Sequence, residues 1–508
     1  MNRWLANCVL VLFAAPILFV LYWAVGPEST GSLAKLSQTV LPGYLTTTLL
    51  LAVVTLGLAL VIGAGAAYLV TFFAFPARTL LDGALVLPLA LPSYLLAIVY
   101  REMSHLQQWP FAVENVWGAA TITALALYPY VFLLARATFR CQAASQLDAG
   151  KALGVGGVRL TRRVLLPLTV PALSLSGVLV VVEVISDIGT VEILGVPTLT
   201  IAVRRIWFSA FDPVLAVRLA LLTAFIPVLL VCAYGLLTRR RAFHVPTNQP
   251  RPPQPVPLKG AWRWAAPPVC LIPVLLGFVV PIVALVSWAA EVFHKIDLTG
   301  LFGEIFNTLL LAAVATVLGL AAGLWFAVTG RQAADRRWSL AALSLVSLNY
   351  ALPAIVLAFA ALMLTGWLDH WAVGQWLGGT MALLVAAVTL RYTVFAHVCA
   401  ESGLQTVSPR LDEAVRCAGR SRFEGLLRVL LPLTRGSLLV GGLLIFVNAA
   451  KELTLSLTLQ PFGYGSLATS AFHFAKVDAY QRGSVYALCL VLIVLYPVLS
   501  IQRWFGGR

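Results

Sequence analysis

The stretch RVLLPLT stands at Arg163–Thr169 and again at Arg428–Thr434, 265 residues apart in a chain of 508. Both copies belong to longer matched phrases. DAGKALG (Asp148–Gly154) precedes the first copy, and EAVRCAG (Glu413–Gly419) precedes the second at the same offset of 265. Each phrase runs acid, Ala, small or medium residue, basic residue, then Gly six positions after the acid, with Pro167 or Pro432 following that Gly by 13. Earlier, LALPSYLLA (Leu89–Ala97) echoes YALPAIVLA (Tyr350–Ala358), and TLLLAVV (Thr48–Val54) echoes TLLLAAV (Thr308–Val314), at offsets of 261 and 260. Three ordered matches with slowly drifting offsets describe a duplicated unit.

The medium in which the unit folds follows from composition. Hydrophobic residues make up 60% of the chain and charged residues 11%, with a mean hydropathy of +0.92. Soluble domains carry roughly 25% charged residues. Apolar runs of about 20 residues, long enough to cross the hydrocarbon core as helices, recur throughout. The spans read at 6–25, 45–74, 79–99, 118–139, 169–187, 213–237, 265–289, 304–329, 339–365, 378–398, 433–457 and 484–501. The fold class expected is an all-α polytopic membrane protein of about 12 transmembrane helices, arranged as two tandem six-helix units.

The net charge of +15 invites a nucleic-acid reading, which the placement of the charges rejects. With the N-terminus inside, 25 of the 35 Lys and Arg fall in cytoplasmic segments, the side on which basic residues orient membrane helices. Both termini are then cytoplasmic and the chain is multi-pass in a bacterial inner membrane, its partners including lipid but no nucleic acid. The seven cysteines include no CxxC pair, which argues against a disulfide framework or metal cluster.

The first unit is expected over 1–237 and the second over 265–508. The Pro-rich, basic segment 238–264 between them reads as an extended or disordered cytoplasmic linker. An even number of spans before it gives both units the same orientation, a parallel repeat.

The acid-to-Pro segments fall between the fourth and fifth span of each unit, in cytoplasmic loops at about 140–168 and 399–432. Short helices are expected at 148–153 and 413–418, stopped by Gly154 and Gly419, where a left-handed residue suits. A second short helix follows each, at 158–164 and 423–429, and Leu-Pro opens the next span.

This pattern resembles the cytoplasmic signature of permease subunits of binding-protein-dependent ATP-binding cassette importers: Glu-Ala-Ala, three residues, Gly, about nine residues, an apolar residue, x, Leu-Pro. The resemblance covers essentially the whole chain, as two fused type I permease units. It implies that each loop forms a coupling helix docking on an ATPase subunit. The docking elements would be Asp148, Ala149, Gly150, Gly154, Val158 and Pro167 in one unit, and Glu413, Ala414, Val415, Gly419, Phe423 and Pro432 in the other. Asp for Glu in the first copy, and Gly150 and Val415 for the second Ala, depart mildly from the pattern.

No GxxxxGK[ST] is present, and catalytic signatures such as HExxH and GxSxG are absent as well. The chain reads as a transport subunit without a cofactor of its own. ATP and magnesium would sit on two copies of a separate cytoplasmic subunit, and a periplasmic solute-binding protein would dock on the outward loops 188–212 and 458–483.

The cargo is read from EVISDIGTVEILGVPTLTIAVRRIWF (Glu183–Phe208) and AAKELTLSLTLQPFGYGSLATSAFHF (Ala449–Phe474), in which Asp187 and Glu452 keep the offset of 265. Ionisable groups at membrane depth usually face a pathway or a partner. The candidate contacts are Glu183, Asp187, Glu192, Arg204, Lys451 and Glu452. An ion pair of Lys451 with an acid, serving only helix packing, is the alternative for those residues. These segments, with LPLALPSYLLAIVY, look like those of ferric-iron permeases, and Fe(III) prefers oxygen ligands such as carboxylates. Arg204, Arg205 and Lys451 suit an anion instead; related fused permeases carry thiamine or phosphonates such as 2-aminoethylphosphonate. No metal site is assigned. An ion-coupled secondary transporter is the reading from another class. It predicts acids buried mid-span, whereas the mid-span ionisable residues here are Arg218 and Arg391.

Overall fold

The computed structural model describes residues 3–24, 38–106, 108, 110–141, 165–239, 254–333, 336–368, 378–408 and 410–506. In hydrocarbon each backbone N–H and C=O must find a partner within its own segment, so apolar runs of this length become helices. Among the described residues nine helices are long and apolar enough to cross a membrane, and two further pairs form bent spans. Arg3–Ala24 adds a helix of 22 residues. The all-α, multi-span architecture expected from the repeat is present. Apolar side chains turned outward, such as Val61, Leu492 and Tyr496, are those that lipid would cover.

The spans expected at 79–99 and 339–365 do not run straight. Arg78–Ala90 meets Ser93–His105 at 89°, and Trp338–Ala351 meets Ala354–Leu368 at 102°. Both breaks fall on the repeated Leu-Pro, at Leu91-Pro92 and Leu352-Pro353. Proline has no N–H to continue a helix and pushes the residue before it toward extended backbone. Leu91 accordingly has φ −99° and ψ 115°. The Leu352 carbonyl at the second break accepts from the Arg391 guanidinium at 2.7 Å.

The spans expected at 169–187 and 433–457 end at Ser186 and Ala450, the second seven residues early. Short buried helices follow each, Ile188–Ile193 and Thr454–Leu459. Asp187 and Glu452 sit at these joints and cap the helices that follow. The Asp187 carboxylate accepts the Thr190 N–H at 3.0 Å and Glu452 accepts the Leu455 N–H at 3.1 Å. Capping favours a new helix start at each acid over continuation of the old one.

The halves exchange their first helices. Arg3–Ala24 packs on the bent pair 338–368 of the second half, where the Asn349 amide donates to the Phe13 carbonyl at 2.9 Å. Trp262–Lys295 packs against 78–105 of the first half, where the Tyr100 hydroxyl donates to the Leu276 carbonyl at 2.6 Å. That carbonyl lies in a widened turn, Leu275–Val279, in which the Val280 N–H reaches back to Leu275. The donor next due, at position 281, is proline and has no hydrogen to give. Tyr100 fills the vacancy.

Residues 240–253 of the expected linker lie outside the described residues. Its far end is extended and placed: Val256–Pro257 pairs in parallel with Phe73–Ala74, and the Leu258 N–H donates to Ala74 at 3.1 Å.

Candidate functional site

The two bent pairs and the two capped joints meet at the centre of the molecule around a cavity of about 80 Å³. Its walls include Ser93 and Tyr94 just past the first break, Ala354 just past the second, and Glu183, Asp187, Asn448, Lys451 and Glu452 from the joints. Four of the six candidate pathway residues, Glu183, Asp187, Lys451 and Glu452, are thus brought together.

Each carboxylate here has a protein donor. Glu183 accepts from the Tyr350 hydroxyl of the other half at 2.6 Å. Asp187 accepts from Ser93 at 2.6 Å in addition to Thr190. Glu452 accepts from the Tyr392 hydroxyl in addition to Leu455. Lys451 differs. It lines the cavity and has no hydrogen-bond or ion-pair partner among the described residues; Glu183 and Glu452 act on it only through space. The ion pair considered for Lys451 as a packing device is therefore not formed.

Arg391, 1% exposed, also lines the cavity, its guanidinium 5.6 Å from the Tyr350 ring centroid and 5.7 Å from that of Tyr392. The sequence reading noted it only as a mid-span base. The repeat could have found it. Gly63 and Gly323 make equivalent close approaches to the fourth helix of each half, near Val131–Phe132 and Ala396–His397, which sets an offset of 265 there. In that register Ala126 and Leu127 match Arg391 and Tyr392, and all four line the cavity. Ser186 likewise matches Lys451, and Glu183 matches Asn448. The cavity is symmetric in backbone and asymmetric in charge. The second half supplies both cations, and the first supplies two of the three acids.

The remaining two candidates, Glu192 and Arg204, lie elsewhere. They pair with each other on the wall of a separate pocket of about 270 Å³ lined also by Pro197, Arg205 and Phe208. Glu192 also pairs with Lys476 of the second half at 2.6 Å. On the same side Arg101 donates to the Ala475 carbonyl at 3.1 Å and to Asp478 at 3.2 Å. Charged contacts between the halves thus converge on the end of helix Leu467–Lys476.

At the other end lies the second acid-to-Pro loop. Arg410–Cys417 carries Glu413, Ala414 and Val415, and Gly419 follows with φ 69°, in the left-handed region. Ser421 and Glu424 then form a capping box. The Ser421 hydroxyl accepts the Glu424 N–H and the Glu424 carboxylate accepts the Ser421 N–H, both at 3.1 Å. Phe423 is 67% exposed. The short helix expected over 423–429 is not separate; residues from Phe423 to Ala450 form one helix. It widens at Leu426–Leu430, where the Leu431 N–H reaches back to Leu426 ahead of Pro432. Arg331 holds the loop's root, donating to Asp412 at 2.7 Å and to the Leu404, Val407 and Ser408 carbonyls. In the first loop, Asp148, Ala149, Gly150, Gly154 and Val158 lie outside the described residues, and Pro167 stands in the first turn of Leu166–Ser186.

Comparison with known proteins agrees with this duplicated plan. The chain is 24% identical over 506 residues, 99% of its length and 98% of the relative's, to the Fe(3+)-transport system permease protein FbpB 2 of Haemophilus influenzae. It is 26% identical over 253 residues to the sulfate transport system permease protein CysT of Escherichia coli, covering 47% of this chain and 90% of that one. The signature of the binding-protein-dependent transport system inner membrane component matches twice, at residues 59–243 and 315–508. Each match contains one bent pair, one acid-to-Pro loop and one capped joint, and the two together span most of the chain, which therefore belongs to this family of multi-pass inner-membrane permeases working with a binding protein and ATPase partners.

Proposed function

We propose that this chain is the complete transmembrane pathway of an importer for ferric iron. A periplasmic binding protein delivers the cargo to loops 188–212 and 458–483, and both termini are cytoplasmic. Two copies of a cytoplasmic ATPase, carrying ATP and magnesium, dock on the loops 140–168 and 399–432. The observation that supports the reading is the end-to-end likeness to a permease named for Fe(3+) transport.

The reading includes alternating access. ATP-driven approach of the ATPases moves both loops. In the second half the moving loop continues as one helix from Phe423 to Ala450, which ends at Lys451 and Glu452 on the cavity wall. A displacement at the loop end can therefore pass to the cavity wall along one continuous helix. The partners bias a two-state pathway that the chain itself supplies.

The test is iron uptake by cells expressing this chain with its neighbouring transport genes. Wild type should accumulate radiolabelled iron. Gly154→Val and Gly419→Val should insert normally and transport nothing, because a branched side chain resists the left-handed backbone found at Gly419 and expected from the repeat at Gly154. Normal uptake by both variants refutes the coupling role, and absence of iron uptake in wild type refutes the cargo.

A further inference from the structure

The central cavity offers a solute unmatched donors. All three carboxylates already accept hydrogen bonds from the protein, through Tyr350, Ser93, Thr190, Tyr392 and Leu455. Among the described residues no group of three His, Cys, Asp or Glu converges as a metal cage. Among the described residues the half-buried Lys451 ammonium, with three hydrogens on the cavity wall, has no acceptor, and the Arg391 Nε is buried without a partner. A ligand oxygen in the cavity gives such a donor a charge-assisted hydrogen bond. Both cations, moreover, are peculiar to the second half, where Ser186 and Ala126 are their counterparts in the first. Arg391 has a structural task, holding the Leu352 carbonyl at the second break; Lys451 has no such contact among the described residues.

We propose that Lys451 is the contact for an oxyanion, and that ferric iron crosses this cavity within an anionic complex rather than as a bare cation. The proposal rests on the iron-importer reading above. Fe(III) is a hard acid that takes oxygen ligands, and a carboxylate- or phosphate-type ligand on the metal turns further oxygens outward, where an ammonium can donate to them. Glu183 and Asp187 on the first-half side repel a free polyanion. They accept one whose charge is largely offset by the metal it carries. The same site therefore selects a metal–oxyanion complex over either component alone.

The test uses the full transporter, purified with its own ATPase and binding-protein partners and reconstituted in proteoliposomes. Radiolabelled iron is offered as its citrate complex and as an uncharged trihydroxamate complex; citrate and inorganic phosphate are offered without iron. Lys451→Gln is expected to lower ferric citrate uptake at least about tenfold, the worth of a lost charge-assisted hydrogen bond. Lys451→Arg should retain most uptake, because it keeps the positive charge. Lys451→Met, of similar length, replaces the Gln variant if that one inserts poorly. Ferric citrate uptake at the wild-type rate in an inserted Gln or Met variant overturns the proposal and leaves the iron reading standing. Faster wild-type uptake of the uncharged complex than of ferric citrate also overturns it. Wild-type uptake of citrate or phosphate but of no iron complex overturns the iron reading and, with it, the metal-complex part of this proposal. Loss of that uptake in Lys451→Gln would still uphold the oxyanion contact.

Discussion

Asp187 and Glu452 use their carboxylates in the same way: each accepts the backbone N–H three residues on, from Thr190 at 3.0 Å and from Leu455 at 3.1 Å. Each acid thereby starts a new helix at the cavity wall, and a hydroxyl from Ser93 or Tyr392 holds it in place. Capping and charge can be separated by substitution. Asp187→Asn keeps an acceptor for Thr190, whereas Asp187→Ala does not. The Ala variant should be less stable than the Asn variant by about 1 kcal/mol. Thermal unfolding of the purified chain in detergent checks this, and equal midpoints would remove the capping role.

Gly63 and Gly323 fix how closely the second and fourth helices of each half approach. A Cβ on Gly63 would meet the Tyr128 carbonyl and the Val131 Cβ at 2.7 Å, and one on Gly323 would meet the Ala396 Cβ and the His397 nitrogen at 2.6 Å. These atoms are backbone or Cβ, so no rotamer change relieves the clash. Alanine at either site is expected to cost about 1–3 kcal/mol by overpacking. A lower midpoint and a smaller monodisperse yield would show it; an unchanged midpoint would show that the helices can part freely.

Arg331 ties the root of the second acid-to-Pro loop to the end of helix Leu298–Ala333 through Asp412 and three carbonyls. Lysine keeps the charge and loses the planar fork. Arg331→Lys and Arg331→Ala should both hydrolyse ATP with less transport per ATP, the Ala variant more severely, because the loop can then move without its helix. Simultaneous measurement of phosphate release and uptake in proteoliposomes is the check. An unchanged ratio in Arg331→Ala sinks the prediction.

The Glu192–Lys476 contact joins the halves at the end opposite the second acid-to-Pro loop. It is partly exposed, so its contribution is modest. Lys476→Gln should raise the labelling rate of a cysteine placed in the central cavity, by a bulky thiol reagent added outside, about two- to fivefold. Added salt should produce part of the same rise in wild type. A rate insensitive to both would mean that the pair does not hold this end shut.

Glu424 titrates in the second acid-to-Pro loop. The Ser421 N–H first, with Arg420 and Arg428 adding, holds its carboxyl below the usual range. A folded pKa below the unfolded one stabilises the loop above the ordinary glutamate value of about 4.3 and ceases to do so as pH falls through the folded value. Hydrogen-exchange protection of the Ser421 amide should hold from about pH 7 to 5 and decline below about pH 4. Glu424→Gln should show weaker protection and no such decline. A decline of the same size in Glu424→Gln would assign it to another group.

The repeat, the spans and the Gly-stopped loop were legible because hydropathy and Leu-Pro spacing report local backbone demands directly. The 89° and 102° bends were not. A Pro inside an apolar run kinks one helix and breaks another, according to what receives the freed carbonyl, and the Arg391 that receives Leu352 lies 39 residues further on. The six charged candidates looked alike in sequence. Only folding separated Glu192 and Arg204, which pair with each other, from Lys451, which has no ion-pair partner among the described residues. In sequence Arg391 reads only as a mid-span base, because a lone base has no local signature; its counterpart in the repeat is Ala126.

The exchanged first helices bear on how the protein is made. Phe13 leaves the ribosome 336 residues before Asn349, whose amide it must meet. Until then its helix lacks the bent pair 338–368 on which it packs. Joining both units on one ribosomal product supplies the two contacting surfaces in equal number. Chains truncated before residue 338 should accordingly be found in the membrane yet remain quickly degraded.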